Sequence, residues 1–349
     1  MLEGKAEQTT LRWGGFIADQ LGYLRINREL WGDCLSVAKE NSITLSEFLA
    51  AFREAFSYSL KDPFSILSLP TFLLYRLTFG RLEPGLVSEV TYWRHLHRAW
   101  GTRSKGVSDV KTLTRKLLDS DSIPDIGYNV NGLYYDKNWG QVEVTKLIEP
   151  LGETLIVVKR DYSERGRHVK VMPASDLAAF NSNEFGDFVI QSKIMQHEFF
   201  DQLGNGNSVT LRLLTAFPEG KSIPEVASGL VKSDADPKSN DFIRVVIDPS
   251  TDCFVGFGIN SNWGRVPLEN LGLNSTQEIP GLKQAKKLVL ELHSKFPHFQ
   301  LIGWDIGIDQ SGKPWIFEWN ADHPGIVFHQ SVLGPVLARA GLDLTARAR

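Results

Sequence analysis

The sequence predicts an α+β fold: a helical N-terminal region, then a second half built mostly on antiparallel sheet. Three observations carry this. Apolar residues recur at helical spacing before about residue 105, the texture turns to strands from Leu155, and two stretches near the C-terminus alternate with period two. Those stretches are Ile302-Gly303-Trp304-Asp305-Ile306-Gly307-Ile308-Asp309 and Pro314-Trp315-Ile316-Phe317-Glu318-Trp319-Asn320, joined by the turn-forming run Asp309-Gln310-Ser311-Gly312-Lys313. As a hairpin they set Asp305 opposite Glu318, with Asn320 on the same face two residues on. Two carboxylates and an amide oxygen are hard donors of the kind Mg²⁺ takes. The neighbours Trp304, Ile306, Ile316, Phe317 and Trp319 make the hairpin half-buried rather than a solvated face, and burying such charge without a cation costs several kcal/mol.

A chain of 349 residues can bury a large core and hold two or three domains. Its net charge of −3 excludes a globally basic nucleic-acid binder. Cys34 and Cys253 stand alone without metal-ligand spacing, as expected in a reducing, cytoplasmic compartment. Met1 to Gln20 lacks a signal-peptide pattern. The most apolar run, Pro63 to Phe79, is broken by Pro70 and Arg76 and is too short to span a bilayer; it reads as a buried helical hairpin, and no transmembrane segment is expected.

The elements follow in order. Thr44-Leu45-Ser46-Glu47 has capping-box spacing and opens a helix with Phe48, Leu49, Phe52 and Phe56 at helical positions. Tyr92 to Trp100 mixes aromatics with Arg94, His95, His97 and Arg98, and a helix is expected at about Asp109 to Asp119, stopped by Ser122-Ile123-Pro124-Asp125. Strands are expected at Leu155 to Lys159, Asp187 to Gln191, Ser208 to Phe217, Phe242 to Ile247 and Phe254 to Ile259. Pro280 to Phe296 is an amphipathic helix with Leu282, Ala285, Leu288, Val289 and Leu292 on one side, and Gly334 to Ala340 is a closing helix. There is no internal repeat. The organisation expected is 1–105 helical, 106–195 a first α+β subdomain with a phosphate loop, and 196–349 a second with the acidic hairpin.

Three upstream pieces complete a constellation. Val158-Lys159 ends a strand before the polar loop Arg160 to His168, a placement suited to phosphate oxygens. Val189-Ile190-Gln191-Ser192-Lys193-Ile194 leaves a strand for an extended link whose backbone can pair with an adenine edge. In Ser208-Val209-Thr210-Leu211-Arg212-Leu213-Leu214-Thr215, Arg212 shares a strand face with Thr210, where it needs an anion: a structural ion-pair partner or a ligand. The basic stretch Arg94, Arg98, Arg103, Lys105, Lys111, Arg115 and Lys116 is either a solvated helix face or a surface facing an anionic substrate. His95 and His97, two apart, do not share a helix face, which argues against a metal there.

Taken in order, Phe188-Val189-Ile190-Gln191 with Gln196-His197, the Arg212 strand, Ile279-Pro280-Gly281, Phe296-Pro297 running on to Ile302-Gly303-Trp304-Asp305, and Gly312-Lys313-Pro314 with Phe317-Glu318-Trp319-Asn320 resemble the ATP-grasp superfamily, in particular its sugar-transfer-associated branch. The resemblance covers roughly Asp109 to Leu337. It implies the ATP-grasp fold, two α+β subdomains clamping ATP. Lys159 would hold the α- and β-phosphates, with Ser163 and Gly166 in the closing loop; Lys111 or Lys116 would supply a second phosphate-binding lysine. Gln191, Ser192, Lys193 and Ile194 would form the adenine hinge. Asp305, Glu318 and Asn320 would hold one or two Mg²⁺, and Arg212 would steady the transferred phosphoryl group. The implied activity is an ADP-forming carboxylate–amine ligase working through an acyl phosphate, in polysaccharide or natural-product biosynthesis, with small-molecule carboxylate and amine substrates and a homodimer among the expected assemblies. A kinase releasing a phosphorylated product and a non-catalytic nucleotide-binding scaffold are the alternatives. One segment departs from the family pattern: Lys232 stands where an Arg is expected, and the Gly-Gly is missing around Ser239-Asn240-Asp241-Phe242-Ile243-Arg244. The choice of acceptor falls to that segment and to the N-terminal helices.

Overall fold

The computed structural model describes residues 25–100, 105–163, 168–204, 208–233 and 242–345. Its strands form two sheets. The five-stranded sheet runs β2-β1-β5-β3-β4, from β1 (Asp125–Val130), β2 (Leu133–Asp136), β3 (Leu155–Arg160), β4 (Val169–Pro173) and β5 (Phe188–Ser192). The seven-stranded sheet runs β10-β9-β8-β7-β6-β11-β12. It is built from β6 (Val209–Ala216), β7 (Glu225–Ser233), β8 (Ile243–Asp248), β9 (Cys253–Asn260), β10 (Arg265–Pro267), β11 (Leu301–Ile308) and β12 (Pro314–Asn320). Every described strand pair is antiparallel.

Alternation along the central strands sends Leu211, Leu213, Val231, Val245 and Ile247 to one face of the large sheet. The helix Leu282–Ser294 covers that face through Leu282, Ala285, Val289 and Leu292. A buried polar chain fixes this helix. The Trp304 indole N–H donates to Thr215 Oγ1 at 2.8 Å, Thr215 Oγ1 and His293 Nδ1 lie 2.7 Å apart, and His293 Nε2 is 2.7 Å from the Phe299 carbonyl. The carbonyl only accepts, so Nε2 carries the proton and Nδ1 accepts from Thr215. Burial pushes His293 down to about 4, which keeps it neutral.

The N-terminal helices lie on the opposite face. A helical run over residues 25–40 contributes Leu30, Cys34 and Val37, and the helix Leu69–Phe79 contributes Leu69, Phe72, Leu73, Leu74, Tyr75 and Leu77, to a core shared with Leu230, Val246, Ile259, Trp263 and Phe328. The capping box at Thr44 and Glu47 forms as expected. Of that helix's predicted apolar positions, Phe48 and Phe52 pack while Leu49 and Phe56 stay exposed.

Several local expectations change. Pro63 to Phe79 is a 3₁₀ turn (Ser65–Ser68) feeding one helix with Pro70 in its first turn, not a helical hairpin. The helix expected over Asp109 to Asp119 is divided into 3₁₀ turns (Lys105–Asp109 and Lys111–Leu113) and a short α-helix, Thr114–Leu118. Near the C-terminus the main helix is Ile326–Leu333, followed by the single turn Val336–Arg339. No helix among the described residues is long and apolar enough to cross a membrane.

Candidate active site

The acidic hairpin sets Asp305 directly opposite Glu318, and Gly303 opposite Asn320. Period-two alternation fails by one residue in β12. Ile306 faces Ile316, so the register shifts and Phe317 is a bulge. A bulge lets two successive side chains share a face. Ile316 and Trp319 therefore stay in the core, while Phe317 and Glu318 both remain partly exposed.

Two glycines in β11 make room for what surrounds Asp305. A Cβ at Gly303 would lie 3.1 Å from Arg212 Nε and 2.8 Å from the Pro324 carbonyl oxygen. A Cβ at Gly307 would fall 2.1 Å from the Phe317 ring. Gly303 thus lets the Arg212 guanidinium cross β11, where Nη1 meets Asp305 Oδ2 at 2.6 Å. Gly307 seats the Phe317 ring, over which Lys159 Nζ lies 5.2 Å from the centroid while donating to the Phe317 carbonyl at 3.3 Å. Lys159 comes from β3, so this bond joins the two sheets across their cleft. Burial pulls the Lys159 ammonium below the usual lysine range, and Glu318, Asp125 and Asp305 oppose that shift.

Lys111 is the third cation, 6% exposed, with Nζ 2.9 Å from the Ser163 carbonyl and 3.4 Å from Glu318 Oε1. Its 3₁₀ turn is held by Asp161, whose carboxylate accepts from Thr112 N (3.0 Å) and Thr112 Oγ1 (2.7 Å), and by the Tyr162 N–H donating to the Asp109 carbonyl. Lys116 goes elsewhere: it is exposed, with Nζ 5.6 Å from the Trp139 ring. The structure thus brings Lys111 to the hairpin and leaves Lys116 outside. Ser163 faces the site through its carbonyl, and its hydroxyl donates to the Arg160 carbonyl at 2.6 Å. Gly166 and residues 239–241 lie outside the described residues, as do Arg103 and the side chains of Arg98 and Lys105.

The hinge is more engaged than expected. The Gln191 amide donates to Asp125 Oδ1 at 2.9 Å, and the backbone N–H groups of Ser192 and Lys193 already donate to the Pro124 and Leu155 carbonyls. Ile194 follows in the link out of β5. Burial raises Asp125 to about 6, against its hydrogen bonds from Gln191 and Tyr128.

Two acids missing from the sequence reading adjoin the set. Asp322, two residues past Asn320, lies 2.9 Å from His97 Nε2 and 3.1 Å from His323 Nδ1, and these bonds hold it far below the usual carboxylate range. Asp109 is raised, first by burial and then by Asp322. Reading the hairpin on to Asn320-Ala321-Asp322-His323 was the available signal for Asp322; nothing local links it to His97.

Among the described residues no three acidic, His or Cys side chains form a ready-made metal cage. Asp305 and Glu318 stand side by side with Asn320 Nδ2 3.5 Å from Asp305 Oδ2. Such an open set of two carboxylates and one amide suits Mg²⁺, which takes few protein ligands and completes its shell with water and phosphate oxygens.

Residues 272–343 match the family model described as sugar-transfer associated ATP-grasp. No curated protein matched the sequence. Solved structures with a related arrangement include the biotin carboxylase domain of 2-oxoglutarate carboxylase from Hydrogenobacter thermophilus (10% identity, TM-score 0.40, covering 69% of this chain and 47% of that one). N5-carboxyaminoimidazole synthetase from Staphylococcus aureus (14%, 0.41, 68% and 52%) and D-alanine-D-alanine ligase from Coxiella burnetii (10%, 0.40, 70% and 60%) are further examples. The chain thus spans about half to three-fifths of their length. The family match is confined to residues 272–343, the stretch that carries the acidic hairpin, and is a similarity of that stretch to sugar-transfer associated ATP-grasp proteins.

Proposed function

We propose that this protein is an ATP- and Mg²⁺-dependent ligase that activates a carboxylate as an acyl phosphate and joins it to an amine. The observation that carries this reading is the opposed pair Asp305 and Glu318, matched by three cations from three separate elements: Arg212 on β6, Lys111 on its 3₁₀ turn and Lys159 from the other sheet. Asp305, Glu318 and Asn320 would hold Mg²⁺, which when bound neutralises phosphate charge.

In the first step a carboxylate oxygen attacks the γ-phosphorus of ATP. The new O–P bond forms as the bond from the γ-phosphorus to the bridging oxygen breaks, and ADP leaves with that electron pair. For that step Lys111 and Lys159 would already have exchanged Glu318 and the Phe317 carbonyl for phosphate oxygens when the nucleotide bound, and Arg212 would steady the moving phosphoryl group. Next the amine nitrogen attacks the acyl carbon, loses a proton and expels inorganic phosphate. The protein contributes position and charge, with Gln191 to Ile194 as the adenine edge and the loop from Ser163 as its cover.

Both cysteines are free, which supports a reducing compartment. Incubation with ATP, Mg²⁺ and pooled carboxylates and amines tests the reading. ADP and a product mass equal to carboxylate plus amine minus water are expected. ADP with a phosphorylated product and no amine requirement would convert the ligase into a kinase, and absence of ADP under all pools would refute both.

A further inference from the structure

The sheet face that carries Asp305 extends away from the hairpin. Opposite residues in neighbouring antiparallel strands share a face. One row therefore runs Glu318, Asp305, Arg212, Leu230 and Val246, and the next runs Thr210, Lys232 and Arg244. Strand spacing of about 4.8 Å puts Arg244 about 10 Å across the sheet from Arg212.

The Arg244 guanidinium carbon is 4.1 Å from the Phe242 ring centroid and 4.7 Å from that of Phe328. Stacking covers the faces of the guanidinium plane but uses none of its five N–H donors. Among the described residues, none offers Arg244 an ion pair or a hydrogen-bond acceptor. Its nearest acid, Asp33 of the N-terminal helical run, attracts it without a direct ion pair and is itself hydrogen-bonded to Trp263. The other neighbours do not compensate the charge. Arg212 repels it, and burial together with Arg212 and Arg244 keeps His329 neutral, with Nδ1 2.8 Å from Ser228 Oγ. The guanidinium is partly buried, and with no protein acceptor among the described residues its donor edge is available to an anion.

We infer that Arg244, held between Phe242 and Phe328, is the seat for an anionic oxygen group of the acceptor substrate, a carboxylate or a phosphate, about 10 Å across the sheet from Arg212. This rests on the ligase reading above. It gives the N-terminal helices a role: the run that packs Leu30, Cys34 and Val37 behind Phe328 also sets Asp33 at the edge of this seat. Arg244 here binds and selects; it performs no bond-making step.

The test is site-specific labelling of the full-length protein with phenylglyoxal, read by peptide mass spectrometry at Arg244, with glutarate or inorganic phosphate as probes. Protection at Arg244 by at least one probe, on the order of tenfold in rate, is expected, and the more protective probe names the anion class. No protection by either overturns the assignment. A second arm titrates the same probes against Arg244→Gln and Arg244→Lys. At least about tenfold weaker binding in Gln, with partial recovery in Lys, is expected; unchanged affinity in Gln overturns it. MgATP binding, measured alongside, is expected to survive in both variants. Its absence from the wild type would refute the ligase reading while leaving the result at Arg244 legible.

Discussion

Replacing Lys111 by Met removes the cation that bridges Ser163 to Glu318 while keeping the length of the stem. Unit charges 3.4 Å apart attract by about 5 kcal/mol at an effective dielectric of about 20. Desolvation of the lysine, 6% exposed, offsets much of that in the resting protein. On the proposed reading the ammonium would meet phosphate charge in the nucleotide complex, and losing one such group would cost about 3–4 kcal/mol of transition-state stabilisation, on the order of 10²–10³ in rate. The assay pairs titration with a fluorescent ATP analogue and ADP release, with Lys116→Met as control. Lys116 is exposed and lies over the Trp139 ring, so its variant should stay within about twofold of wild type. Loss of nucleotide affinity in Lys116→Met equal to that in Lys111→Met, or none in Lys111→Met, would refute the placement of the phosphate lysine.

Gly303→Ala would press a methyl group against the Pro324 carbonyl and Arg212 Nε, displacing the guanidinium from Asp305; turnover should fall on the order of 10–10²-fold with nucleotide affinity kept, as steady-state kinetics would show. Thr215→Val leaves the Trp304 N–H and His293 Nδ1 without partners, two buried groups at about 1–3 kcal/mol each, and should lower the urea midpoint accordingly. His293 has a folded value of about 4 against an ordinary 6.5. Its neutral form therefore contributes stability that is present above pH 6.5 and lost as pH falls through about 4. Urea midpoints at pH 7.5 and 4.5 should diverge more in wild type than in His293→Gln, and equal divergence would contradict the assignment.

The Leu282–Ser294 helix was legible because it repeats one period over enough residues to leave one face apolar, and the hairpin because two apolar strands, each interrupted by one acid, flank a Gly-containing turn. The fold expected from the motif order, two α+β subdomains behind a helical N-terminal region, matches the two sheets and the helices that precede them. Strands β1 and β7 escaped notice because Gly127 and Gly229 interrupt their apolar texture, and β2 because it is only four residues long. The helix Ile326–Leu333 hides His329, Gln330 and Ser331 in the interior, so its sequence lacks a polar face. The bulge at Phe317 needs the partner strand to be seen, since only pairing shows which residue is extra. Lys111 and Lys116 read alike along the chain; the turn pinned by Asp161 separates them. The pairing of His97 with Asp322 spans 225 positions and left no local trace.

The most direct test of the account is the Mg²⁺ dependence of nucleotide binding and ADP formation in Glu318→Gln. The variant keeps the shape of the side chain and removes the carboxylate opposite Asp305. With its circular dichroism spectrum unchanged, Mg²⁺ should no longer tighten ATP binding and ADP release should fall below about one part in 10² of wild type. Wild-type ADP release with intact Mg²⁺ dependence would contradict the central claim that this hairpin is the metal end of an ATP site.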